Sequence, residues 1–231
     1  MQCIVTAGPT CEPLDEVRRL TNSSTGRLGS ELASFLSARG HEVTLLIGQH
    51  ATYRGERHAQ HVETFTTTGN LRDRLQALAG PEVAAVFHAA AVSDFAFGKI
   101  WRRSSQGELT ELKGGKISTR QGTLLAELAP TPKIIADLRQ WFPAARLVGW
   151  KYEVDGGRAG VIRLAEEQIA GCRTDACVAN GPAYGAGFGL VRGGGEVTHL
   201  PDAAALFGAL EEFIRERRDP GRCPEETAKA K

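Results

Sequence analysis

Apolar runs of strand length alternate with stretches of helical period along most of the chain, which predicts an α/β fold with a mostly parallel sheet covered by helices. Cys3 to Ala7 reads as the first strand and stops at Gly8. The next helix begins only near Leu28, where Leu28, Leu32, Phe35 and Leu36 mark one face, so a long loop separates the two. Gly40 closes that helix, Val43 to Ile47 and Val62 to Thr66 read as strands, and Leu71, Leu75 and Leu78 mark a second helix. Val83 to Ala91 is a continuous run of small and apolar residues, as expected of a central strand buried on both faces. From Phe95 to Leu128 the pattern breaks into polar residues and glycines, so a projecting flap or hairpin is expected over about residues 95–128. The alternation resumes with Pro132 to Phe142 as helix, Arg146 to Trp150 as strand, Val161 to Ile169 as helix and Ala176 to Ala179 as strand. Phe188 to Val191 and Glu196 to His199 flank three glycines as a C-terminal β-hairpin, and Asp202 is an N-cap for a last helix ending near Arg215. The expectation is one Rossmann-like, doubly wound domain over residues 1–216. Residues 217–231 are expected to form a disordered tail, because they hold too little apolar surface to offset the entropy of ordering.

Composition narrows the function. The chain has 231 residues, 42% hydrophobic and 24% charged, within the range of a single core. Its formal charge of +1, from 28 basic and 27 acidic residues, argues against the broad positive field of a nucleic-acid binder, so any anion site must be local. The cysteines Cys3, Cys11, Cys172, Cys177 and Cys223 are odd in number and lack metal spacing, which fits thiols of a reducing compartment. There is no leader-like start and no run near the roughly 18 apolar residues of a membrane span, so a cytoplasmic protein is expected. The histidines, among them His58, His61 and His88, show no triad or metal spacing and are given surface or core roles; no metal ligands are assigned.

The chemistry is concentrated in the long first loop and at the predicted strand ends. Ligands of doubly wound sheets bind at the carboxyl ends of the strands, and a small-residue loop entering a helix offers free N–H groups to phosphate. Gly26 and Gly29, in Asn22-Ser23-Ser24-Thr25-Gly26-Arg27-Leu28-Gly29, suit that role. The same residues also read as a capped helix start, with Ser24 or Thr25 as N-cap and Gly29 packing on the sheet. A dinucleotide site is disfavoured: the second strand ends in Ile47-Gly48-Gln49 without an acidic residue, and no tight glycine fingerprint or Tyr/Lys pair is present. Asp94 follows the buried strand and either faces the crevice or caps a helix. Lys116, in a flexible Gly114-Gly115 segment, either reaches a triphosphate or is solvated. Trp150 stacks a nucleobase or packs under a loop, and Asn180 bonds a base or ribose or braces a turn.

Taken together, T-A-G-P-T-x-E-P-L-D-x-V-R, N-S-S-T-G-R-L-G, A-A-A-V-S-D, K-I-S-T, T-P-K-I-I, V-G-W-K and V-A-N resemble the phosphopantothenoylcysteine synthetase family, in order from about residue 2 to 214. The likeness is to its short monofunctional bacterial form, which implies a phosphopantothenoylcysteine decarboxylase on a separate chain. The resemblance implies a ligase in which 4'-phosphopantothenate attacks the α-phosphate of CTP or ATP, with Mg²⁺, and cysteine then displaces the nucleotide through its amine. It implies that Asn22 holds the substrate carboxylate, that Ala90, Ala91 and Asp94 line that pocket, and that Arg18 meets the substrate phosphate, across a homodimer interface. Gly8, Ser24, Gly26 and Gly29, with Asp94, would cradle the nucleotide, Trp150 and Asn180 would hold its base or ribose, and Lys116 would serve conversion of the intermediate.

The chain departs from the two-domain bacterial enzymes at several cations: Ser118 and Thr119 replace further flap lysines, while Gln168 and Cys172 stand where a helix supplies two lysines to the triphosphate. Arg163, Arg173, Lys133 and Lys151 are the candidates to compensate. Lys151 and Glu153 resemble the eukaryotic, ATP-using form. The rival readings are an NAD(P)-dependent Rossmann reductase and a non-catalytic nucleotide-binding homologue.

Overall fold

The structure, a computed structural model, describes residues 1–112, 117–118 and 122–216. The tail expected over 217–231 lies outside the described residues. The chain runs β1 (Gln2–Ala7), β2 (Cys11–Pro13), β3 (Arg19–Thr21), α1 (Arg27–Ala38), β4 (Glu42–Gly48), β5 (His61–Phe65), α2 (Thr68–Ala77) and β6 (Val83–His88). It continues β7 (Phe95–Arg103), β8 (Leu109–Glu111), β9 (Leu124–Pro130), α3 (Ile134–Trp141), β10 (Arg146–Tyr152), α4 (Gly157–Cys172), β11 (Ala176–Asn180), β12 (Phe188–Arg192), β13 (Val197–Leu200) and α5 (Ala203–Arg215).

Eight strands form the main sheet in the order β13-β12-β11-β10-β6-β1-β4-β5. The six from β5 to β11 are parallel, and β12 and β13 add an antiparallel edge. The chain therefore winds outward from β1 through β4 and β5, then crosses back to β6 and winds the other way, as the sequence pattern predicted. The reversal lies between β1 and β6, where such sheets bind ligands. On one face, α1 and α5 bury Leu32, Leu36, Leu206 and Phe207 against Val5, Phe87 and Val178. On the other, α2 and α3 bury Leu71, Leu75, Ile134 and Leu138 against Ile4, Val86 and Leu147, and α4 adds Val161 and Ala165 over Cys177 and Ala179.

Four details differ from the pattern-based expectation. The long first loop contains the β2–β3 hairpin, whose strands pair only with each other. The central strand ends at His88 and does not reach Ala91, because the ladder to β10 stops at Phe87 and that to β1 at His88. The flap is a three-stranded antiparallel sheet, β8-β7-β9, with little buried beyond Ile100. The N-cap position of α1 is neither Ser24 nor Thr25 but Gly26, with φ 77°, while Thr25 Oγ1 accepts from Arg27 N at 3.2 Å from the turn before it. The hairpin of β12 and β13 and the Asp202 cap, which accepts from Ala205 N at 2.8 Å, are as read from the sequence.

Contact between α1 and β1 requires a missing side chain. A Cβ on Gly29 would lie 2.6 Å from Ala7 Cβ and 3.1 Å from Thr6 O. Gly160 in α4, by contrast, faces open space. Gly29→Ala should therefore destabilise the protein by about 1–3 kcal/mol through overpacking, against a helix-propensity gain of about 1. Gly160→Ala should stabilise it by roughly 0.5–1 kcal/mol. Urea unfolding of both variants checks the contrast, and equal shifts in one direction would contradict the packing account.

Candidate active site

The ends of β1 and β6 lie side by side and stay joined past their ladders. Ala91 N donates to Gly8 O at 3.0 Å and Thr10 N to Ala91 O at 3.1 Å, making an isolated parallel bridge between Pro9 and Ala91. Where the ladder lapses, threonine hydroxyls replace it. Thr6 Oγ1 accepts from Ala90 N at 3.1 Å and Thr10 Oγ1 from Ser93 N at 2.8 Å. Ala89–Asp94 is therefore a fixed wall rather than a free loop, and Thr131 closes it by bonding Ser93 O and Asp94 O.

Against this wall sits Asn22, placed by the hairpin: Thr21 Oγ1 donates to Thr10 O at 2.8 Å, and Asn22 Nδ2 donates to Ala91 O at 3.1 Å. The amide keeps a second N–H and its carbonyl oxygen for other partners. Gly8 and Gly26, both at φ 77°, bring the start of α1 down onto the end of β1. A Cβ on Gly26 would lie 3.2 Å from Gly8 Cα. The helix start, with its partial positive charge, thus stands beside the Ala89–Asp94 wall; of its N–H groups Arg27 N donates to Thr25 Oγ1 at 3.2 Å and Ser30 N to Gly26 O at 3.1 Å. Ser24 is half-buried in the turn before it, its N–H donating to Asn22 O at 2.8 Å. Asp94 is exposed at the far end of the wall. A Cβ on Gly29 would meet Ala7, whereas those on Gly8 and Gly26 would meet Ala51 and Ile47, so Gly29 brings α1 close to β1 without lining the crevice itself.

Trp150 and Asn180 lie on neighbouring strands, in registers Trp150↔Val178 and Tyr152↔Asn180. Alternation along the strands puts both on the α1 face. Trp150 Nε1 and Asn180 Oδ1 are buried and have no partner among the described residues, one a donor and one an acceptor. Such a buried, unmatched pair at strand ends is what a ligand with complementary groups would satisfy.

Arg18 is engaged locally. Its guanidinium pairs with Asp15 and donates to Ile117 O at 2.7 Å, while Ile117 N donates to Asp15 Oδ2 at 3.2 Å. The Arg18 guanidinium beside Asp15 holds that carboxyl well below the usual carboxylate range. Arg18 also borders a cavity of about 260 Å³ with Cys11, Arg19 and His50, and Arg19 Nη1 reaches His50 Nε2. Lys116 lies outside the described residues; Ile117, its neighbour, is held by the hairpin. The fold brings Asn22, Ala91, Gly8 and Gly26 together and sets Trp150 and Asn180 on neighbouring strands.

Several residues that build the site carry no chemistry by residue type, although Thr6, Thr10, Glu12 and Ser93 stand inside the motifs that carry the resemblance. Thr6, Thr10, Glu12, Thr68 and Ser93 are all buried and polar. Outside those motifs the trace in the sequence is a polar residue inside an apolar strand, as at His88. His88 is a core residue, its Nδ1 3.0 Å from Thr6 Oγ1, and burial pushes its pKa down to about 4 from 6.5. It is therefore neutral at pH 7.

Because the unfolded chain takes up a proton near 6.5 and the folded one only near 4, His88 contributes full stability above 6.5 and loses it as the pH falls toward 4. The loss amounts to roughly 3 kcal/mol. Urea midpoints measured from pH 7.5 to 4 should show this slope, and His88→Gln should flatten it even if its plateau is lower. Parallel curves would assign the slope to another group.

The family described as DNA/pantothenate metabolism flavoprotein C-terminal domain matches residues 1–199. The coenzyme A biosynthesis bifunctional protein CoaBC of Thermococcus kodakarensis is 34% identical over 181 residues, which are 77% of this chain and 40% of that protein. The Bacillus subtilis protein of the same name is 28% identical over 187 residues, 80% of this chain and 42% of that one. The chain thus spans about two fifths of these relatives. Among solved structures, the DNA/pantothenate metabolism flavoprotein of Streptococcus pneumoniae superposes with TM-score 0.79 at 25% identity, covering 93% of this chain and 98% of that one. The C-terminal domain of a CoaBC protein has the same fold, with TM-score 0.68 at 23% identity, covering 93% and 94%.

Proposed function

The chain belongs to the family of the DNA/pantothenate metabolism flavoprotein C-terminal domain, and we propose that it acts as a phosphopantothenate-cysteine ligase of coenzyme A biosynthesis. In this reading it joins 4'-phosphopantothenate to cysteine through an acyl-nucleotide made with CTP or ATP. The observation that carries the reading is the buried, unpartnered pair of Trp150 Nε1 and Asn180 Oδ1 on the same face as α1, whose N-terminus stands beside the Asn22–Ala91 contact. A nucleotide spanning that face would meet stacking surface, a donor, an acceptor and phosphate-binding amides in turn.

In the first step the substrate carboxylate oxygen bonds the α-phosphorus, and the bond to the leaving pyrophosphate breaks. In the second, the cysteine amine bonds the acyl carbon, nucleoside monophosphate leaves, and the amine gives up a proton. Activation is needed because a free carboxylate is a poor acyl donor, and two anions must be brought together against their repulsion. Asn22 suits the first step: with one N–H on Ala91 O, its remaining N–H can hold the carboxylate against the Ala90–Ala91 wall. Gly8, Ser24 and Gly26 would place the α1 amides on the phosphates, with Gly29 allowing the close approach of that helix. Arg18 would take the substrate phosphate in exchange for Asp15 or Ile117, and Lys116 would serve the second step. Asp94, exposed at the end of the wall, would line the same pocket on its nucleotide side.

Among the described residues no three metal-ligating side chains gather. Magnesium in this reading arrives as the nucleotide complex, held chiefly by phosphate oxygens and water. Among the described residues no helix is long and apolar enough to cross a membrane. A homodimer and a separate decarboxylase complete the proposal; cysteine and phosphopantothenate are its small-molecule partners, in the cytoplasm.

Incubation with CTP or ATP, magnesium and phosphopantothenate, with and without cysteine, should release pyrophosphate; none under any condition would refute the ligase. Asn22→Asp sets a like charge beside the substrate carboxylate and should cut pyrophosphate release by about a hundredfold or more. Unchanged release would remove Asn22 from the first step. Lys116→Gln should let acyl-nucleotide accumulate, and amide formation at the normal rate would make this lysine a bystander.

A further inference from the structure

A buried carboxylate outside the crevice connects the substrate wall to the hairpin. Glu12, in β2, is 5% exposed. Its Oε1 accepts from Thr68 N and from Thr68 Oγ1, both at 2.8 Å. Thr68 is the first residue of α2, so the carboxylate lies at the positive end of that helix. Among the described residues no cation pairs with it; backbone, hydroxyl and helix end hold it.

The hydroxyls beyond it form a directed chain. Thr68 Oγ1 has one proton, and the charged oxygen at 2.8 Å takes it in preference to Thr10 Oγ1 at 3.3 Å or Ser93 O at 3.5 Å. At the 3.3 Å contact Thr68 is then the acceptor and Thr10 the donor. Thr10 Oγ1 in turn accepts from Ser93 N at 2.8 Å. Every proton in the series Ser93, Thr10, Thr68 points toward Glu12. The series ends in the wall that presents Ala91 to Asn22, while the same strand carries the hairpin on which Arg18 and Asn22 are mounted.

We infer that Glu12 is a positioning residue: through Thr68 and Thr10 it fixes Ser93, and so sets the Ala90–Asp94 wall and the Asn22 hairpin in register for the carboxylate substrate. This rests on the ligase reading and adds to it a residue that touches no substrate. Nucleotide contacts on Trp150 and Asn180 are not joined to the chain, so its loss should fall on one substrate and not the other.

The test is steady-state kinetics of pyrophosphate release with each substrate varied in turn. Glu12→Ala should raise the KM for phosphopantothenate by about tenfold to a hundredfold, with the nucleotide KM within about twofold. Glu12→Gln, whose amide oxygen can accept both Thr68 bonds, should restore most of the affinity. Should Glu12→Ala not fold, Thr10→Val keeps the shape and removes only the hydroxyl under Ser93, and should raise the same KM. Equal rises for both substrates, no rise in Thr10→Val, or a Glu12→Gln that behaves like alanine would overturn the inference. If wild-type protein releases no pyrophosphate, the ligase reading fails first. Amide exchange then still decides the positioning claim: Ala90–Asp94 should exchange faster in Glu12→Ala and recover in Glu12→Gln, and unchanged exchange would sink it.

Discussion

The architecture depends on how backbone polar groups are satisfied where β1 and β6 end beside each other. Inside the sheet their N–H and C=O groups are paired by the ladder. Past Ala7 and His88 the ladder is replaced by the hydroxyls of Thr6 and Thr10 and by one bridge at Ala91. Buried backbone groups left unpaired are costly, on the order of 1–3 kcal/mol each, so these few bonds confine a six-residue connection to one shape. The crevice is thus a property of the sheet, extended by side chains, and not of a flexible loop.

Seen this way, the proposed ligase divides its work between two kinds of surface. The backbone of the wall is tied down by Thr6, Thr10 and Thr131, although Ser93 Oγ has no partner among the described residues, and with the Asn22 hairpin it suits aligning an oxygen nucleophile. Trp150 and Asn180 are buried but unsatisfied, suited to receiving groups from outside. Position 172, where the resemblance leads one to expect a lysine, is a thiol raised in pKa by burial, and Lys133 and Lys151 both act to lower it. Cations of loop and strand origin therefore lie in the neighbourhood that the α4 side chains leave neutral, which bears on the compensation expected from the sequence.

Much of the fold was legible because it is written in apolar period. The parallel strands and covering helices are segments whose burial follows from a few residues of local sequence, such as Val43 to Ile47 or the Leu71 and Leu75 pair. What was not legible depends on distant partners or on backbone conformation. The strands Cys11–Pro13 and Arg19–Thr21 are too short to show a period and are made by pairing with each other. Propensity offers Ser24 or Thr25 as one reading of the α1 start, but close approach to Gly8 puts a left-handed glycine at the N-cap and leaves Thr25 Oγ1 to accept from Arg27 N. Asn22 and Ala91, 69 residues apart, were brought to one pocket by the motifs of the resemblance and not by any local pattern. The Glu12 and Thr68 contact, 56 residues apart, leaves no local trace at all.

The series from Ser93 to Glu12 also constrains how this sequence can change over time. Removing one member of a buried hydrogen-bonded set strands its neighbours, whereas replacing several together by apolar residues of like shape can be nearly neutral. Positions 10, 12 and 68 therefore cannot drift independently. Single replacements pass through a less stable or misaligned protein, and joint ones do not, so lineages carrying this fold should switch the three as a block, with covariation stronger than their separation along the chain would suggest.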